Sequence, residues 1–245
     1  MKIDINCDMG EGIGNEPELI QFITSANIAC GYHAGDVNTM KSVMELCMQH
    51  KVSIGAHVSF LDKENFGRVE ITIPPNEIYD LVIQQLIIFY EIAGVINARV
   101  NHVKPHGALY NMSAKDLSIA TVIARAVKDF DAGLAILGLS ESYSVIASRS
   151  AGLKTISEGF ADRTYTDEGT LTPRSSPGSM FTNVTDVIEQ VIRLVKTQTA
   201  ISTSGKLIPV PAQSVCIHGD GQNAILFARS IHEQLTENEI VPEAF

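Results

Sequence analysis

No stretch of this chain carries the G-x-x-x-x-G-K-[ST] spacing of a phosphate-binding loop. The glycines of CDMGEGIG (7–14) follow G-x-G-x-G, not the dinucleotide fingerprint G-x-G-x-x-G. A self-sufficient nucleotide site is therefore not expected. Positive charge is scarce: 18 Lys and Arg stand against 28 Asp and Glu, giving a net charge of −10 with no basic run. Nucleic acid and anionic membranes would be repelled. No C-x-x-C pair occurs among Cys7, Cys30, Cys47 and Cys216, which favours reduced thiols in a cytoplasmic protein. The opening residues, MKIDINCDMG, lack the apolar core of a secretory signal. The most apolar run, LVIQQLIIFY (81–90), is interrupted by Gln84 and Gln85 and is too short to span a bilayer. H-E-x-x-H is missing too, and scattered single histidines leave a metal open.

What is present is a sizeable apolar fraction, 45% of 245 residues with 19% charged, enough for a well-formed core. Short β-like runs alternate with helical patterns throughout. Strands are expected at 2–6, 26–30, 52–56, 101–104, 133–139, 153–157 and 214–219. Helices are expected from Pro17 to Ser25, after an Asp36 N-cap, from Pro75 to Ala93, after a Ser113 N-cap, and at 140–150, 182–198 and 221–235. Val37, Met40, Val43, Met44 and Cys47 keep helical spacing behind Asp36. Seven strand–helix units without a break in composition predict one α/β domain over 1–245, most simply a parallel (β/α) barrel, with a doubly wound open sheet as the other solution.

Polar residues gather just past the strands: Asn6 and Asp8, His33 and Asp36, His57, then His102, Lys104 and His106, then Glu158, Asp162 and Arg163, and finally His218 and Asp220. Five of the seven histidines fall there, and in a parallel α/β sheet those ends share the face where active sites lie. In NHVKPHGALYN (101–111), alternate positions put His102, Lys104 and His106 on one side, and Pro105 keeps the segment extended. Three basic groups so close call for an anion or carboxylates to compensate. Asp8 and Glu11 are candidate general bases. The Gly/Pro/Ser-rich segment 158–180, with Arg163 and Arg174, lies on the same face as a candidate lid, and an arginine there could clamp a carboxylate.

Six runs together resemble the LamB/YcsF lactam-utilisation family, the family of the bacterial 5-oxoprolinase A subunit. They are DINCDMGEG (4–12), TSANIACGYHAGD (24–36), IGAHVSF (54–60), HVKPHGALYN (102–111), FADRTYTDEGTLTPRSSPG (160–178) and CIHGD (216–220). The resemblance implies an irregular, about seven-stranded barrel of glycoside hydrolase/deacetylase-like type. It also implies ATP-dependent opening of 5-oxo-L-proline to L-glutamate together with two partner subunits, B and C. On the matching positions, Asp8, His57, Lys104 and His106 are expected to be catalytic. Glu11, His33, Asp36, Arg68, His102, Asp162, Arg163, His218 and Asp220 are expected to bind substrate. Asp8 or His57 would activate water, Lys104 and His106 would stabilise negative charge, and Arg163 or Arg68 would hold the substrate carboxylate. The chain departs from the family pattern at Val58, Ser59, Phe60, Leu61, Asn65 and Val69, and the loop between Gly14 and Thr24 is short. Two other functions fit the residues: a metal-dependent deacetylase or amidohydrolase working without ATP, and a non-catalytic subunit that binds a small acid.

Overall fold

The computed structural model describes residues 1–221 and 223–245 and closes seven parallel strands into a ring. The elements in chain order are β1 (Lys2–Met9), α1 (Glu16–Leu19), β2 (Ser25–Ala29), α2 (Val37–His50), β3 (Ser53–Val58), α3 (Pro75–Ile96) and β4 (Val100–Pro105). Next come α4 (Gly107–Lys115), α5 (Leu117–Phe130), β5 (Ala135–Leu139), α6 (Tyr143–Ser150), β6 (Lys154–Phe160) and α7 (Val184–Thr197). A hairpin of β7 (Thr199–Ile201) and β8 (Leu207–Pro209), then β9 (Ser214–Ile217), α8 (Ala224–Glu237) and β10 (Val241–Pro242) complete the chain. Pairing of β1 with both β2 and β9 shuts the barrel, and β10 extends the foot of β1. The closed ring is the barrel expected from the alternation, not the open sheet.

The strand pattern explains why the barrel wall is apolar outside and largely polar within, with a small apolar cluster of Ala135, Leu137 and Ile156 on β5 and β6. Along β1, Ile3, Ile5, Cys7 and Met9 belong to the apolar core, whereas Asp4, Asn6 and Asp8 bond to side chains of other strands across the interior. Period-two alternation thus separates a helix-facing side from a lumen-facing side, both buried. The helices answer with stripes of their own: α3 packs Ile78, Val82, Leu86 and Phe89 inward, each burial contributing roughly 1.5–3 kcal/mol.

Three expectations change. The helix containing LVIQQLIIFY runs for 22 residues and is long and apolar enough to cross a membrane by length and composition. Here it is bolted to the barrel: Gln85, fully buried, accepts from Ser59 N and donates to Ser59 O, both at 2.9 Å. Ser113 caps nothing, because α4 starts already at Gly107 and Ser113 falls inside it, donating to Tyr110 O. Asp116 caps α5 instead, accepting from Ser118 N and Ile119 N. The β7–β8 hairpin has no counterpart in the sequence expectation, since strands of three residues carry too little alternation to be read.

Candidate active site

Inside the ring, polar side chains stack in layers from floor to mouth. At the floor, the Asp4 carboxylate accepts from Thr24 Oγ1 and Ser25 Oγ at 2.6 Å each and from Ser214 Oγ, and burial pushes its carboxyl up. One layer higher, Asn6 Nδ2 donates to Glu158 Oε1 (2.9 Å) and Ser214 Oγ (2.8 Å). Asn27 Nδ2 donates to Asn6 Oδ1 and Asp8 Oδ1, both at 2.8 Å. His102 joins this layer, its Nε2–H donating to Asn27 Oδ1 at 2.8 Å. The facing strand position is Gly55, where a Cβ would overlap His102 Nε2, so only glycine leaves room for the ring.

Lys104 stands above that layer, 2% exposed, with its Nζ 2.8 Å from Glu158 Oε1, 3.0 Å from Asp8 Oδ1 and 3.1 Å from Asn6 Oδ1. Burial disfavours the ammonium, but the Asp8, Cys216 and Glu158 charges outweigh it and hold the Lys104 pKa well above its ordinary value. Burial likewise works against the Asp8 carboxylate, and the charges of His57 and Lys104 overcome it, leaving Asp8 well below the usual range. Tyr110, from α4, donates to Glu158 Oε2 at 2.6 Å and completes the cage. The compensation that the basic motif demanded is thus two carboxylates from β1 and β6.

At the mouth, three imidazoles meet Glu11. His57 Nδ1–H donates to Lys104 O (2.9 Å), and His106 Nε2–H donates to Phe66 O (2.9 Å). Their remaining nitrogens, His57 Nε2 and His106 Nδ1, lie 2.9 Å apart. His33 stacks on His106 with ring centroids 3.8 Å apart, and its Nε2 lies 3.1 Å from Glu11 Oε1. Burial, reinforced by neighbouring His57, holds His33 down to about 2 and His106 well below its ordinary value; burial and then Asp8 push the Glu11 carboxyl well up. The loop carrying Phe66 is fastened to the start of α4 where Gly67 and Gly107 meet: Ala108 N donates to Gly67 O at 2.8 Å, and a Cβ on Gly107 would overlap that oxygen.

The donor atoms of Glu11, His33, His57 and His106 all lie within 4.8 Å of one another, as do those of Asp8, Cys216 and His218. Two imidazole nitrogens that face each other, each ring already donating its other N–H to a backbone carbonyl, fit a divalent cation of the zinc type: the lone pairs converge and the rings are oriented as metal-bound histidines are. A single shared proton satisfies the same contact.

The rim completes a cavity of about 380 Å³. His218 Nδ1–H donates to Asp162 (2.9 and 3.1 Å), which fixes its tautomer; its Nε2 has no hydrogen-bond partner among the described residues. Burial raises Asp162, and the His218 charge outweighs this and lowers it. Arg68 is paired with Asp220. Arg163 is buried and donates to Thr172 O (2.6 Å) and Ser179 O (3.3 Å), so it staples the 159–181 loop instead of presenting a free fork; burial holds its guanidinium down to about 10. Gln190 of α7 adds bonds to Phe160 O and Arg163 O. The expected lid is therefore a braced wall. Arg68, Lys104, Lys115, Arg163 and Arg174 line the cavity against Asp8, Glu11 and Glu70, so an acidic chain encloses a locally cationic pocket.

Asp8, Glu11, His57, Arg68, Lys104, His106, Arg163 and His218 all line this cavity, with His33, Asp162 and Asp220 directly behind. Two residues do not join them. Asp36 caps α2, accepting from Thr39 N at 2.8 Å, and His102 lies a layer below, fully buried, because β4 places it opposite Gly55 while Lys104 is opposite His57. Glu158, Asn6, Asn27 and Tyr110 enter the site from outside the expected set. The period-two polar pattern of DINCD and SAN is a signal for the two asparagines, and Glu158 stands at a strand end; Tyr110 is tied in only through Glu158.

The chain matches the LamB/YcsF family over residues 3–245. It is 46% identical over 245 residues to the 5-oxoprolinase A subunit of Staphylococcus haemolyticus strain JCSC1435, covering 98% of each chain. The crystal structure of a lactam utilization protein from Thermus thermophilus superposes with a TM-score of 0.93 at 35% identity over the whole of both chains. A family 4 carbohydrate esterase from Streptomyces lividans shares the fold alone, with a TM-score of 0.54 at 10% identity over 98% of this chain and 91% of the other. On the full-length match and on the motifs that converge in the barrel mouth, the chain belongs to the LamB/YcsF family.

Proposed function

We propose that this chain acts in ATP-dependent opening of a lactam, 5-oxo-L-proline to L-glutamate, as the substrate-handling member of a complex with two further subunits in the cytoplasm. A lactam amide is resonance-stabilised; transfer of the γ-phosphoryl group of ATP to its oxygen, releasing ADP, makes the carbon electrophilic. One water then opens the C–N bond to a carboxyl phosphate, and a second water releases phosphate. The chain has no phosphate-binding loop of its own, which suits ATP handling shared with partners. Four buried free thiols are compatible with a reducing compartment.

The observation that carries the reading is the Asp162–His218 pair beside Asp8 and His57. An imidazole whose tautomer is fixed by a buried carboxylate presents a basic nitrogen to the cavity. His218 or His57 takes the proton of the attacking water, and the same imidazolium can return it to the lactam nitrogen as the C–N bond breaks. Lys104, locked between Asp8 and Glu158, keeps Asp8 ionised instead of touching the ligand freely. His106, its Nε2–H spent on Phe66 O, orients His57 through the 2.9 Å contact of His106 Nδ1 with His57 Nε2. Reconstitution with the two partner subunits tests this: glutamate should be released from 5-oxoproline with ATP and not without it. Absence of ATP-linked release from the complete complex would refute the reading.

A second reading, a metal-dependent amidohydrolase, is favoured by the converging lone pairs of His57 and His106. Glu11, His33, His57 and His106 would hold the ion, which would supply Lewis acidity for the amide carbonyl and a more acidic water. Elemental analysis of protein purified without chelators separates the two: one tightly held divalent ion per chain, with amide hydrolysis by the isolated protein, would favour this reading.

A further inference from the structure

The cations of the pocket are not equivalent. Lys104 is neutralised by Asp8 and Glu158, Arg68 by Asp220, and Arg163 spends its N–H groups on the carbonyls of Thr172 and Ser179. Lys115 is exposed to solvent, and Arg174 stands apart as a half-buried cation of the cavity wall. Its one hydrogen bond among the described residues runs from Nη1 to the Met180 thioether at 3.4 Å, a weak acceptor. No carboxylate lies within ion-pair distance of it among the described residues. Burial and the nearby Arg68 charge both push its guanidinium down, so the position disfavours a bare cation and gains from an incoming anion.

The loop holding Arg174 is preorganised. Ser179 Oγ donates to Arg174 O at 3.2 Å, Ser176 N to Pro173 O at 2.9 Å, and Arg163 grips Thr172 two residues away. A planar fork on a braced loop, with its N–H groups still to be satisfied, is the geometry for bidentate carboxylate recognition. We infer that Arg174, and neither Arg163 nor Arg68, is the residue that selects ligands by their carboxylate, docking a small carboxylated ring with its amide toward Asp8, His57 and His218. The inference rests on the lactam reading for the identity of the ring, but not for the anion.

Calorimetric titration of the full chain with 5-oxo-L-proline, with 2-pyrrolidinone (the same ring without the carboxylate) and with L-glutamate tests it. The wild type should bind 5-oxoproline about tenfold or more tightly than 2-pyrrolidinone. Arg174→Gln should reduce that preference to about twofold or less while leaving 2-pyrrolidinone binding and the melting temperature unchanged, and Arg174→Lys should retain part of it. A preference undiminished in Arg174→Gln, or a wild type that binds no carboxylate at all, would overturn the inference. A wild type that ignores both rings but binds L-glutamate through Arg174 would sustain the anion site and remove the lactam reading.

Discussion

His57 Nε2 and His106 Nδ1 approach to 2.9 Å while the outer nitrogen of each ring donates to a main-chain carbonyl, Lys104 O for one and Phe66 O for the other. With both outer N–H bonds made, the inner contact has room for a single positive centre, a proton or a cation. His106→Ala removes it, and turnover of the reconstituted complex should fall about a hundredfold or more. Near-wild-type turnover would take His106 out of the chemistry.

The Asp162–His218 pair makes a separate prediction. Asp162→Asn preserves shape but offers an amide that no longer demands an Nδ1–H, so the tautomer is lost. Turnover should drop by about 10²- to 10⁴-fold with KM changed little. A rise in KM alone would assign the pair to substrate binding.

Lys104 is a stability prediction first. Lys104→Met strands two buried carboxylates, Asp8 and Glu158, and should cost about 3–5 kcal/mol in urea unfolding. Adding Glu158→Gln should recover part of that loss. A double variant as unstable as the sum of two independent changes would argue against the shared cage.

Acid should destabilise the fold through its buried imidazoles. His33 is held down to about 2 and His102 to about 3, in both cases chiefly by burial. Unfolded, each ring takes a proton below about pH 6.5 that the native ring refuses. Their contribution is therefore present above that pH and is lost as pH falls from about 6.5 toward the folded values, at about 1.4 kcal/mol per pH unit for each ring. His102→Asn, which can still donate to Asn27, should flatten the stability–pH curve in that window by about one ring's share. Circular dichroism with urea at several pH values measures it, and an unchanged slope would mean that His102 titrates normally.

The order of strands, the barrel and the Asp36 cap were legible because alternation and helical spacing are local. So was the convergence of Asp8, His57, Lys104, His106 and His218, because parallel strands align their ends. His102 could not be placed: spacing alone puts it beside Lys104, and only strand register puts it a layer lower, against Gly55. The different tasks of Arg163 and Arg174 were hidden for a related reason. Both sit in a segment with no period, where hydrogen bonds to backbone oxygens decide which guanidinium is spent and which is spare.

The acceptors that set the two tautomers are peptide oxygens, one on a strand and one on a loop clasped at Gly67 and Gly107. Exchanging the side chain at position 66 leaves its carbonyl in place, so the proton wiring tolerates drift in residue identity there. Adding or deleting one residue between 58 and 67 would move that oxygen and unhook the ring. The catalytic setting is thus written in loop length as well as in letters, with Gly67 the position in that loop where a Cβ has no room.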